Sequence, residues 1–175
     1  MNSSLWPSTF QFGVATAGFQ IEGGYNGSGE PRNNWAKWED SGRASVSGPA
    51  NRFWEDFETQ LDLVAAMHLD SFRLSIEWTR VEPERGHLDR KAIEHYRKIL
   101  SAVRTRGLEP LVTLHHFTNP EWLGDDPWTN DQGWRDLANW YEIGVREFGD
   151  LCHQWITSNE INIFAINTYY HGIFP

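Results

Sequence analysis

Four short stretches of the chain carry polar groups in settings that suit chemistry. Asn159-Glu160 follows one apolar run, Gln154-Trp155-Ile156-Thr157, and precedes another, Ile161–Ile166. A carboxyl walled by apolar side chains has its charged form disfavoured, so it keeps a proton closer to neutrality and can act as a general acid. A position at a helix start equally suits a cap, because the free N–H groups there favour an acceptor; spacing alone leaves both roles open for Glu160. Arg73 lies inside Phe72-Arg73-Leu74-Ser75-Ile76, where an unpaired charge is costly. Strand alternation puts Arg73, Ser75 and Glu77 on one face, so Arg73 either pairs with Glu77 or holds a catalytic carboxylate ionised. His115 and His116 are adjacent and point to opposite faces of a strand, which suits one neutral hydrogen-bonding imidazole for a polar ligand rather than a shared metal. His153 and His171 show no ligand spacing, so neither a metal nor a cofactor is expected. No Ser or Cys stands on a nucleophile elbow, and the single cysteine, Cys152, reads as a core residue.

The elements that must position these groups alternate along the chain. A strand is expected over Phe10–Thr16, ending in a turn before Gln20, and a helix follows with Phe53, Trp54, Phe57, Leu61, Val64 and Ala65 at helical spacing. Between them Gly23–Ala50, rich in Gly, Asn, Ser and Pro but holding Trp35 and Trp38, is expected to be a long functional loop with a short helical turn. Ser71–Trp78 reads as a second strand. Asp89 caps a helix with the stripe Ile93, Tyr96, Leu100 and Val103, which Gly107 ends. Pro110–Leu114 is a third strand, Trp134–Phe148 a helix closed by Gly149, and His153–Thr157 a fourth strand.

Strands separated by helices, with no hairpin signals, require parallel pairing through crossovers. The turn Ala15-Thr16-Ala17-Gly18-Phe19-Gln20 is not a phosphate-cradling motif, so a closed (β/α)₈ barrel is expected in place of an open doubly wound sheet. In a barrel Gln20, Arg73, Glu77, His115, His116, Asn159 and Glu160 all follow or end strands and should face one mouth.

Composition narrows the partners. Fifteen basic residues against 24 acidic ones leave a net charge of −9, which argues against nucleic acid. No apolar run has the roughly 18 residues of a membrane span, and Met1–Pro7 has neither a basic nor an apolar leader region. With one cysteine, which excludes an internal disulfide, these features lead to the expectation of a soluble, cytoplasmic chain with no membrane partner. Ten Trp, five Tyr and ten Phe stand in many cases beside polar residues; such flat rings suit stacking on a ligand such as a sugar, while filling of the core must account for most of them.

The segments Phe10-Gln11-Phe12-Gly13-Val14-Ala15-Thr16-Ala17 with Gln20-Ile21-Glu22-Gly23, Phe72-Arg73-Leu74-Ser75-Ile76-Glu77-Trp78-Thr79-Arg80 with Pro83, Pro110-Leu111-Val112-Thr113-Leu114-His115-His116-Phe117 with Pro120, and Trp155-Ile156-Thr157-Ser158-Asn159-Glu160 occur in an order and spacing that resemble the N-terminal half of family 1 glycoside hydrolases, the β-glucosidase/β-galactosidase group. The resemblance implies that residues 1–175 are the first four βα units of one catalytic barrel that hydrolyses β-linked glycosides with retention. It implies Glu160 as general acid/base, Asn159 as the amide on the sugar 2-hydroxyl, Gln20 and His116 as ligands of the glycone hydroxyls, and Arg73 as the partner of the nucleophilic carboxylate. Trp35 is expected to help line the mouth. Two departures stand out: Phe117-Thr118 where the family usually has Trp-Asp, and Ile161 where it usually has proline. The nucleophile's motif has no counterpart up to Pro175, so the chain alone is expected to be inactive. Glu22 and Glu77 are the other carboxylates expected near the mouth, and either would have to act as base in an inverting alternative. A different class of reading is a sugar-binding half-barrel that assembles with a second copy or with the missing half.

Overall fold

The computed structural model describes residues 6–175; the reading of the amino-terminal leader falls mostly on residues outside these. Four strands, β1 (Gly13–Ala15), β2 (Ser71–Ser75), β3 (Glu109–His115) and β4 (Gln154–Ser158), form one sheet in the order β1-β2-β3-β4. Every pairing is parallel, with Val14 opposite Phe72, Phe72 opposite Pro110 and Val112 opposite Trp155. A doubly wound sheet reverses its strand order at a switch point, and this order does not reverse. Successive right-handed crossovers in one direction put the helices on one side and curl the sheet toward a barrel, leaving the other side as its interior.

Seven α-helices accompany them: α1 (Gly18–Ile21), α2 (Asn34–Asp40), α3 (Phe53–Ala66), α4 (Trp78–Val81), α5 (Arg90–Thr105), α6 (Asp131–Phe148) and α7 (Ile161–Ala165), with 3-10 turns at Glu121–Leu123 and Pro127–Thr129 and a π-helical turn at Ile166–His171. The core lies between the sheet and α3, α5 and α6, where Phe72, Leu74, Val112 and Leu114 meet Leu61, Tyr96, Leu100, Val103, Trp140 and Phe148. Trp140 stacks on Trp78 at 5.5 Å and its Nε1 donates to the Leu114 carbonyl, so much of the aromatic excess is core.

Local signals explain the long elements. The Asp89 carboxylate accepts from the Lys91 and Ala92 N–H groups at the start of α5, satisfying donors that have no helical partner. At the other end Gly107 takes φ 75°, and the N–H groups of Gly107 and Leu108 return to the Arg104 and Val103 carbonyls, a Schellman closure that needs a residue without Cβ strain. Gly149 ends α6 differently, at helical dihedrals. The expected long loop does carry a helix, α2, capped by Asn33 through the Ala36 N–H.

Several boundaries differ from expectation, β3 by one residue at each end and α6 by starting at Asp131 rather than Trp134. β1 is three residues long, because Phe10 and Phe12 turn outward, Phe10 stacking on Trp6 and Phe12 meeting it edge-on. β2 ends at Ser75 rather than Trp78, since Trp78–Val81 winds into the unanticipated α4. β4 runs one residue later, to Ser158.

Candidate functional site

Arg73 on β2 reaches across the interior of the sheet. Its Nε donates to Thr113 Oγ1 on β3 at 2.9 Å, and its Nη2 donates to Asn159 Oδ1 just past β4 at 2.5 Å. Asn159 is itself held by its own N–H, which donates to the His115 carbonyl at 2.8 Å. One guanidinium thus spans three strands and fixes the amide. The Arg73–Glu77 pair left open by alternation does not form: among the described residues no carboxylate lies within ion-pair distance of Arg73. Alternation fails there because β2 stops at Ser75, two residues short of Glu77.

The two histidines divide as their opposite faces require. His115 is buried, bonds Asn119 Oδ1 through Nε2 and packs edge-on against Trp128 and Phe164; burial lowers its pKa. His116 faces the interior side, and its Nδ1 is buried without a partner. Burial first, then the Arg73 charge and His115, push its pKa down to about 4, so the imidazole is neutral at pH 7 and offers hydrogen bonds to an uncharged polar ligand. Gln20, exposed on α1, and His116 border a common cleft of about 320 Å³ whose walls include Phe19, Trp35, Phe117 and Glu39. Trp35 therefore stands where expected. Glu39 was not anticipated; it arrives on α2, and its carboxylate is already occupied by Asn26 Nδ2 and the Ser47 hydroxyl.

Glu160 occupies the N-cap position of α7 but makes no side-chain cap bond, so its carboxyl is free. Its backbone is left-handed, φ 42°, and Phe117 past β3 is too, at φ 70°. Such conformations cost about 1–3 kcal/mol each at non-glycine residues and persist where the surroundings enforce them. The surroundings here are aromatic: Phe117 stacks on Phe164 of α7 with an interplanar angle of 9°. The expected apolar wall around Glu160 is a correction. Ile161, Ile163 and Ile166 are 54%, 40% and 47% exposed, because α7 spends its one buried face on Phe164. Glu160 is exposed with them.

Glu22 and Glu77 also depart from expectation, since both are buried behind the turns that follow β1 and β2, at 3% and 1% exposure. Glu22 receives Arg80 Nε at 2.8 Å and the Tyr25 and Tyr96 hydroxyls. Arg80 also stacks on Tyr25 and Trp54 and donates to the Gly23 carbonyl. A buried ion pair with its remaining donors satisfied is a structural unit. Glu77 accepts from Thr118 Oγ1, the Phe19 N–H and Ser75 Oγ, and burial and the Glu22 charge raise its pKa to about 7. Neither is placed to activate a water at the mouth, which removes the inverting alternative that used them. Among the described residues no group of three or more His, Cys, Asp or Glu comes together as a metal set, and no helix is long and apolar enough to cross a membrane.

The structure therefore brings Arg73 and Asn159 into direct contact, with His116 close enough to feel the Arg73 charge and Gln20 across the cleft from it. Glu160 follows Asn159 but does not border the Gln20–His116 cleft.

Comparison with known proteins bears on this arrangement. The family model described as glycosyl hydrolase family 1 matches residues 2–175. Coniferin β-glucosidase of Pinus contorta is 36% identical over the whole of this chain and 36% of its own length, and β-glucosidase 11 of Arabidopsis thaliana 33% identical over 97% and 34%. Among solved structures, a β-glycosidase from Pyrococcus horikoshii superposes with a TM-score of 0.88 at 30% identity over 97% of this chain and 39% of its own, and a rice β-glucosidase with 0.88 at 34% over 96% and 37%. The chain spans about a third of the length of the curated relatives it matches.

Proposed function

The chain belongs to glycosyl hydrolase family 1, and from that premise we propose that it provides the glycone-binding and acid/base side of a retaining β-glycosidase site. In this reading Gln20 and the neutral His116 bind glycone hydroxyls, Asn159 binds the 2-hydroxyl, and Glu160 first protonates the glycosidic oxygen and then, as base, activates water. The observation that carries it is the Arg73–Asn159 bond. It orients an amide beside the Glu160 carboxyl at the C-terminal end of a strand, and among the described residues it leaves a positive charge with no carboxylate partner. A guanidinium satisfied only by a hydroxyl and an amide oxygen keeps its attraction for an anion, which in a retaining site is the nucleophilic carboxylate.

Retention takes a second carboxyl about 5–5.5 Å from the first. Glu22, Glu39 and Glu77 are buried and engaged by other donors. The 175 residues by themselves are thus expected to bind a monosaccharide with negligible turnover. Incubation with p-nitrophenyl β-glucoside checks this, with product anomer followed by NMR. Retaining hydrolysis that disappears in Glu160→Gln would show that the chain completes the site unaided and would overturn the division of labour proposed here.

A further inference from the structure

Glu77 is an expensive choice for its position. It is buried and next to the carboxylate of Glu22, so its ionised form is opposed by both desolvation and repulsion. Packing alone would be met at lower cost by an apolar side chain. What the carboxyl does is join elements. Oε1 accepts from the Phe19 N–H, one residue before Gln20, and from Ser75 Oγ, which in turn accepts from the Gly18 N–H. Oε2 accepts from Thr118 Oγ1, two residues after His116, at 2.7 Å. The Glu77 N–H donates to the Tyr96 hydroxyl on α5, and that hydroxyl donates to Glu22. A Cβ on Gly18 would come within 2.6 Å of Glu77 Cγ, so the turn carrying Gln20 is pressed directly against this side chain.

We propose that Glu77 is a positioning residue for glycone recognition: one carboxyl beneath the cleft holds the Phe19–Gln20 turn and the His116–Thr118 turn at a fixed separation, and so sets the spacing of the two sugar ligands. The inference rests on the glycone reading above for what Gln20 and His116 bind. Its chemistry also says which replacement should succeed. The Phe19 N–H can only donate, whereas the Thr118 hydroxyl can donate or accept. A glutamine at position 77 keeps both links by facing its oxygen to Phe19 and its amide to Thr118. Protonation of Glu77 on Oε2 works the same way, so the links survive although the Glu22 carboxylate and the Arg80 guanidinium bias its charge in opposite directions.

The test uses the 175-residue chain with D-glucose as probe, by NMR titration, and amide hydrogen exchange at Phe19–Gln20 and Phe117–Thr118. Glu77→Ala should weaken glucose binding about tenfold, the equivalent of misaligning one hydrogen bond to the sugar, and should speed exchange in both segments together. Glu77→Gln should restore both. Thr118→Val, a milder change that guards against failure to fold, should release Phe117–Thr118 while leaving Phe19–Gln20 protected. Gln20→Ala and His116→Ala should each weaken binding. If those two weaken binding while Glu77→Ala changes neither binding nor exchange, the inference is overturned and the glycone reading stands. Failure of Glu77→Gln to restore what Glu77→Ala loses also overturns it. If Gln20→Ala and His116→Ala leave binding unchanged, the glycone reading falls and takes the inference with it.

Discussion

Glu77 keeps its proton up to about pH 7 in the folded chain, against 4.5 for an unperturbed glutamate. Between those values the folded state binds more protons than the unfolded one, so the contribution of Glu77 to stability is fully present below about 4.5 and is lost as the pH rises through about 7. His116 acts in the opposite sense. Its pKa falls from 6.5 to about 4, so its contribution is present above 6.5 and is lost as the pH falls through about 4. Each slope is at most about 1.4 kcal/mol per pH unit, and water reaching the half-buried His116 ring reduces its share. The two oppose each other in mildly acidic solution and conceal one another in the intact protein. Glu77→Gln separates them. Urea unfolding should show wild type gaining about 2 kcal/mol relative to Glu77→Gln between pH 7 and pH 5; a difference that does not change with pH would show that Glu77 ionises normally. The same residue marks the limit of what spacing conveys. Arg73 was legible because the period of two inside β2 fixes its side, and Gln20, His116 and Asn159 were legible because they follow strands, the positions from which a parallel barrel builds its mouth. Glu77 was not, because the period of two was carried past Ser75 into a turn where it no longer applies.

Elements were legible where a cap and a long stripe agreed. Asp89, the Ile93–Val103 stripe and Gly107 together define α5 to within a residue or two, since each end has a stated hydrogen-bonding reason. β1 was legible as a strand within Phe10–Thr16 but not in its bounds, and α4 was not legible: three and four residues hold too little pattern, and both take their form from neighbours, β1 from pairing with β2 and α4 from the buried Trp78, Arg80 and Val81. The start of α6 lies between these cases. Asn130 caps it through the Gly133 N–H, and Gly133 is where the preceding turn at Pro127 crosses the helix. On propensity alone Gly133→Ala should stabilise a helix by about 1 kcal/mol. The added Cβ, however, would overlap the Pro127 carbonyl oxygen, a backbone atom with no rotamer to change. Overlap of this kind costs about 1–3 kcal/mol or more, so the close approach outweighs propensity. Gly133→Ala should lower the thermal midpoint by several degrees, and an unchanged or raised midpoint would mean that the Pro127 turn moves freely away from α6.

At the scale of the whole molecule the order β1-β2-β3-β4 followed from the sequence because helix and strand alternate without hairpins, leaving only the direction of winding to be seen. That order also has a physical consequence. In the described sheet β1 and β4 each pair on one side only, and open strand edges are templates for another chain. After β4, Ile161, Ile163, Ile166, Tyr170 and Ile173 are each exposed, with Tyr170 at 83%. The apolar surface favours association, while a net charge of −9 opposes it through repulsion that salt removes over a distance of about 10 Å at 0.1 M and 3 Å at 1 M. Repulsion between like-charged chains is therefore expected to dominate at low salt and burial of the isoleucines at high salt. Sedimentation velocity of the 175-residue chain should show a monomer in dilute buffer and concentration-dependent association at 1 M salt. Ile163→Lys combined with Ile166→Lys should suppress that association, since it charges two exposed apolar positions while leaving the buried Phe164 in place. A chain that remains monomeric at 1 M salt would place the isoleucines in contact with water at no measurable penalty, and association that persists in the double variant would assign it to the strand edges instead.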